Sequence, residues 1–174
     1  MSKIERPGAD EFAPFYANYV SAVPAGDITG ILESQGRELV QLLGGLDAAR
    51  ADFRYAPDKW SVKDVVGHVS DTERIFAYRA LRIARGDATP LAGFDQDTYV
   101  ANAHFGRRAL GDLLADFQTV RAATVSLFRA MTEEESRRAG TANGMPVTAR
   151  ALAFIAAGHE RHHSSILRER YLSA

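Results

Sequence analysis

The chain has 174 residues, 46% of them hydrophobic and 25% charged, which suits one globular domain with its own core and is short for two. Its 21 Lys and Arg against 22 Asp and Glu leave a net charge of −1, so no basic footprint exists for a phosphate backbone and nucleic acid is not an expected ligand. Cysteine is absent, which excludes disulfides, thiolate metal ligands and cysteine nucleophiles and leaves any metal site to histidine, carboxylate and water.

Residues 10–23 carry Phe12, Phe15, Tyr16, Tyr19 and Val20 at helical spacing before Pro24, which predicts a short arm packed on the domain, without a chemical role. Met1 to Pro24 mixes charges with aromatics, unlike a secretory signal, and no later run approaches the roughly 20 apolar residues that span a bilayer. The expected location is the cytoplasm, with no membrane partner.

Asp27 is a good N-cap for a first helix, whose apolar positions Ile28, Ile31, Leu32, Leu39, Leu42, Leu43 and Leu46 keep a 3.6-residue period. Residues 54–60 read as a loop. Ser61, with Asp64 three residues on, resembles a capping box that opens a second helix running to about Arg85. The stretch 86–108 holds Gly86, Pro90, Gly93 and Gly106 with no sustained period, and so predicts a long irregular loop that covers something.

A third helix is predicted from about Leu110 to Met131, with Leu113, Leu114, Phe117, Val125 and Phe128 on one side. After a loop from Gly140 to Pro146, Thr148 caps a fourth helix reaching nearly to Ala174. Four amphipathic helices without a strand series predict an all-α four-helix bundle, with a short N-terminal arm and a long loop between helices two and three. One domain, 1–174, is expected, its bundle core covering about 27–172.

Along helix four, Leu152, Ile155, Ala156, Ile166 and Leu167 define an apolar stripe with His159 and His163 at its centre and His162 at its edge. A single histidine on such a face is ordinarily a core residue satisfied by a neighbour. Two of them four residues apart stack on one face and can bind one ion at a separation fixed by the helix. His68, flanking the stripe of Val62, Val65, Val66, Val69, Phe76 and Ala80 on helix two, is the candidate third ligand. Three imidazoles leave a coordination position open, the pattern of catalytic rather than structural metal sites. His104 falls in the irregular loop and reads as a solvated residue.

Glu73 and Arg121 also sit inside apolar stripes, where charges persist only when paired. They are expected to meet, either as a structural ion pair or as a support for the site, and both are candidate catalytic residues. Residues 159–163, His-Glu-Arg-His-His, also satisfy H-E-x-x-H, in which the glutamate, here Glu160, activates a metal-bound water. The third histidine of the extended protease motif is replaced by Glu169, and only Ser164 to Ala174 follow His163. Glu160 therefore stands as a further catalytic candidate, with a solvated glutamate as the plainer reading.

Taken in order, residues 60–73 from Trp60 through His68 to Glu73, the loop with Phe94-Asp-Gln-Asp97, Arg121, and His159-x-x-x-His163 resemble the DinB/YfiT-like superfamily, from about Val23 onward. That resemblance implies a four-helix bundle, often dimeric, with a divalent metal held by three histidines, a role that falls on His68, His159 and His163. It also implies a metal-dependent hydrolase, or a transferase or isomerase that uses a low-molecular-weight thiol such as bacillithiol or mycothiol.

The expected function is thus a metal-dependent enzyme acting on a small molecule, with one divalent ion per chain activating water or a thiol. Zinc or nickel leads, with iron or manganese as alternatives. Asp95, Asp97 and Tyr99 are candidate substrate contacts under the 86–108 loop, with ordinary turn and surface roles as the alternative. A homodimer is expected from the resemblance. The competing function is a non-enzymatic metal-binding or stress-response bundle.

Overall fold

The computed structural model describes residues 4–173. In chain order these form α1 (Ala17–Ala22), α2 (Ile28–Leu43), α3 (Ala48–Ala51), α4 (Val62–Ala84), α5 (Gln96–Ala103), α6 (Leu110–Arg129), α7 (Glu133–Arg137), strands β1 (Ala139–Ala142) and β2 (Met145–Thr148), and α8 (Ala149–Ile166). The bundle consists of α2, α4, α6 and α8, with α4 packed on both α8 and α6. No helix among the described residues is long and apolar enough to cross a membrane.

All four bundle helices start where the sequence predicts, three of them at side chains that satisfy first-turn amides. Asp27 accepts from Gly30 N at 2.9 Å, and Thr148 accepts from Ala151 N at 3.2 Å. Ser61 and Asp64 form the reciprocal box, at 3.1 and 2.9 Å. α6 follows Ala109, which offers no side-chain cap. The far ends differ slightly from expectation: α2 stops at Leu43, ahead of Gly44 and Gly45. α6 stops at Arg129. Beyond Ile166 the last helix widens into π-helical turns over Leu167–Leu172.

Two connecting segments are more ordered than the sequence suggests. The loop expected over 140–146 is an antiparallel hairpin, closed by Asn143 and Gly144 at φ 51° and 73°. Those positive angles are what a tight two-residue hairpin turn requires of its central pair, so a small two-stranded sheet accompanies the helical bundle. The irregular stretch 86–108 contains α5, capped where Asp95 accepts from Thr98 N at 2.7 Å. The same stretch is stitched to the hairpin by Leu91, which donates to Thr141 O and accepts from Asn143 N, both at 2.9 Å.

The arm carries α1, which lies against α8. Arg6 ties it down by donating to the carbonyls of Val20 and Val23 at 2.7 and 2.6 Å, the C-terminal groups that α1 leaves open. The two backbones approach so closely at Gly158 that a Cβ there would penetrate the Tyr19 carbonyl. Gly158→Ala is therefore expected to cost about 1–3 kcal/mol by forcing the helices apart. Calorimetry would show this as a melting temperature lower by roughly 3–10 °C, and an unchanged melt would contradict the crossing.

The apolar interior falls into two clusters. One joins α1, the α2 start and the C-terminal half of α4 to the N-terminal half of α8. The other joins the α2 end, the N-terminal half of α4 and the start of α6 to Leu167 and Tyr171. Between them a buried polar layer crosses the bundle: Gln35, His68, Glu73, Arg121, His159 and Glu160. Polar groups in such numbers are buried at a cost unless they pair, and their pairing divides the layer into two sites.

Candidate metal centre

His68 projects from the second turn of α4, and His159 and His163 project one turn apart from α8. Their Nε2 atoms converge: His68 and His159 are 3.0 Å apart, and His159 and His163 are 3.1 Å apart. His68 and His159 are buried and His163 is partly so. A neutral imidazole nitrogen is either a donor or an acceptor, so His159 Nε2 cannot satisfy both neighbours by hydrogen bonding. One divalent cation would satisfy all three at once. Nitrogen bonds of about 2.0–2.1 Å put neighbouring ligand atoms roughly 2.9–3.4 Å apart, which the two contacts of His159 match, and all three ligand atoms lie within 4.8 Å of one another.

Burial keeps the three rings neutral, the form that coordinates. Desolvation lowers His68 to about 4. It lowers His163 to about 3, with the facing His68 and His162 adding to the effect. His159 lies well below the ordinary histidine range through the same burial and the other histidines around it. On the far side of His68, the Thr72 hydroxyl stands 3.4 Å from Nδ1, in reach of the proton that must reside there if Nε2 is to bind.

Aromatic rings wall the cluster. Trp60 covers His68 and His163, with centroids 4.7 and 6.4 Å away. Phe76 and Tyr19 meet His159 edge-on at 5.9 and 5.7 Å. His162 stays exposed beside Tyr19, and His104 is the exposed left-handed residue ending α5.

His68 and His159 open into a cleft of about 390 Å³ bounded by the arm (Tyr16, Tyr19), α4 (Thr72, Phe76, Arg79), residues 93–97 and Asn143 of the hairpin turn. The arm thus shapes the site, contrary to the reading of it as packing alone. A larger groove of about 610 Å³ between α2 and α6 shares no residue with the cleft and holds none of the histidines. Asp95 and Asp97 lie at the cleft mouth; Asp95 spends one oxygen on the α5 cap. Tyr99 does not line the cleft: it is 47% exposed and packs on Phe94 at 5.2 Å. The sequence reading missed Arg79, Tyr16 and Tyr19. Arg79 stands three residues after Phe76 on a buried face, the spacing that could have exposed it.

The other half of the polar layer holds the three candidate catalytic charges. Arg121 donates to both oxygens of Glu73 at 2.8 and 2.7 Å and to Leu32 O at 2.7 Å. Glu160 lies 4.0 Å from Arg121 and accepts from Ser164 at 2.7 Å. It is 2% exposed, not the solvated glutamate expected, because the next residue after an inward histidine faces α6 rather than water. Burial pushes its carboxyl above the usual carboxylate range against the pull of Arg121. None of the three lines the cleft.

A sequence-family model described as the DinB superfamily matches residues 31–167. The chain belongs to the DinB superfamily. No curated protein sequence matches it. Among solved structures, YfiT from Bacillus subtilis, described as "a probable metal-dependent hydrolase with an unusual four-helix bundle topology", aligns at a TM-score of 0.74 and 17% identity over 84% of this chain and 89% of its own. A mycothiol-dependent maleylpyruvate isomerase aligns at 0.68 and 14% identity, over 84% of this chain and 61% of its own. The DinB-like protein YjoA from Bacillus subtilis aligns at 0.61 and 23% identity, over 85% and 91%. These likenesses establish a shared fold with the DinB-like bundle.

Proposed function

We propose that this DinB-superfamily protein is a metal-dependent enzyme acting on a small molecule, with His68, His159 and His163 as the ligands of one divalent ion. The observation that carries this reading is the gathering of three imidazoles, their ligand atoms within 4.8 Å of one another, with His68 and His159 in the wall of an open cleft. A divalent ion there would lower the pKa of a water or a thiol and supply a nucleophile near neutral pH. The cleft volume lies within the range of small-molecule sites.

The chain's own groups have definite parts in this scheme. Thr72 holds the His68 tautomer, Trp60 and Phe76 exclude bulk water from the imidazoles, and residues 93–97 roof the position a substrate would take. Zinc or nickel suits an all-imidazole set, with iron or manganese as alternatives. Relatives described as a metal-dependent hydrolase and a mycothiol-dependent isomerase support hydrolysis and thiol chemistry as the two reaction classes to test. A non-enzymatic metal-binding bundle needs no access to the ion, and the opening of His68 and His159 into the cleft favours the enzyme.

Glu73 and Arg121 serve as a structural pair in this account, and Glu160 is not the general base of a protease motif. Panels of ester, amide and thiol-transfer substrates with the metal-loaded protein give the test. Any turnover found should fall at least about 100-fold in His163→Ala and survive in Glu160→Gln. Equal activity in wild type and His163→Ala would refute the proposal.

A further inference from the structure

Arg79 gives the cleft a buried positive charge that the metal reading does not use. The residue is 4% exposed and lines the same cavity as His68 and His159. One of its nitrogens, Nη2, donates to Ala92 O at 2.6 Å, and the guanidinium carbon sits 6.0 Å from the Phe94 ring centre. No carboxylate oxygen among the described residues comes within 4.0 Å of its guanidinium nitrogens. The other deeply buried guanidinium in the bundle, Arg121, meets Glu73 at 2.7 Å, and Arg150 meets Glu11.

A guanidinium has five N–H donors and cannot lose its charge. The Ala92 carbonyl and the neighbouring Tyr16 hydroxyl leave the larger part of that capacity unused, in a site where a charge without a counter-ion is costly. Tyr16 lies beside it: burial raises the phenol, and the Arg79 charge offsets part of that rise. Its hydroxyl thus remains a donor next to the cation. Asp95 and Asp97 are exposed at the mouth and leave the Arg79 end of the cleft positive.

We propose that the substrate enters with an oxyanion, a carboxylate or phosphate, held by Arg79 and the Tyr16 hydroxyl, so that an adjoining bond faces His68 and His159. This deepens the proposed function by naming the substrate class and rests on it for the chemistry. Anion binding itself depends on Arg79 and the Tyr16 hydroxyl and not on the metal.

The test is calorimetric titration of the protein as purified with succinate, inorganic phosphate and neutral succinamide, repeated with Arg79→Gln, Arg79→Lys and His163→Ala. An anion should bind where succinamide does not, about 10- to 100-fold more weakly in Arg79→Gln and less so in Arg79→Lys, with unchanged metal content. The same anion should shift the Arg79 Nε–H resonance of the wild type, a readout that stands if Arg79→Gln fails to fold.

Equal binding by wild type and Arg79→Gln, equal binding of succinate and succinamide, or no anion binding at all overturns the proposal. Binding lost in His163→Ala but intact in Arg79→Gln places the anion on the metal and refutes the Arg79 site alone. A wild type that takes up no metal after incubation with zinc, nickel, iron or manganese yet still binds anions through Arg79 refutes the metal reading and leaves the Arg79 anion site standing.

Discussion

Arg121→Ala is expected to lower the unfolding free energy by about 3–5 kcal/mol, because it strands the Glu73 and Glu160 carboxylates in the interior without a cation. Arg121 is 3% exposed and Glu73 2% exposed, so water cannot replace the lost bonds. Burial works against the Arg121 charge, and the Glu73 carboxylate more than offsets it. The double variant Glu73→Leu with Arg121→Met should recover most of the loss, since removing both charges leaves only one stranded carboxylate, Glu160, whose raised pKa lets it accept a proton. Urea denaturation of the three proteins measures this. A loss below about 1 kcal/mol in Arg121→Ala would mean that the pair is solvated and the bundle open at this layer.

Chelation should destabilise the wild type and leave His159→Ala unmoved. An ion that binds the folded chain and not the unfolded one adds about 2.7 kcal/mol at a hundredfold excess over its dissociation constant, roughly 5–10 °C in melting temperature for a chain of this size. His159 stands within 3.0 and 3.1 Å of the other two rings, so its loss removes the centre of the ligand set. Scanning calorimetry with and without chelator reads the difference. A shift of the same size in both proteins, or in neither, would contradict the site.

The parts of the fold that were legible in the sequence share one physical cause. Helices that bury a single continuous stripe, such as Ile28 to Leu43 or Leu113 to Phe128, print that burial as a 3.6-residue period, and Asp27, Ser61 and Thr148 mark their starts. α5 buries only Val100 and so leaves no period to read. The hairpin strands are four residues long, too short for alternation, although Asn143-Gly144 is a turn signal in itself.

The histidines were legible for the same reason as the helices. His159 and His163 interrupt an apolar stripe at helical spacing, and His68 flanks the stripe of the neighbouring helix. The arm's part in the cleft was not legible, because Tyr16 and Tyr19 reach the histidines only through the close crossing of α1 and α8 at Gly158. Glu160 was misread as solvated since its own helix gives no sign that α6 supplies Arg121 on that side.

The central claim is that three imidazoles hold one ion, and elemental analysis tests it most directly. Tag-free wild type, purified without chelator above pH 7, should carry about one divalent ion per chain, and His68→Ala and His159→Ala should carry almost none while keeping their helical content. Variants that retain the wild-type ion content, or a wild type that binds none after incubation with zinc, nickel, iron or manganese, would contradict the account.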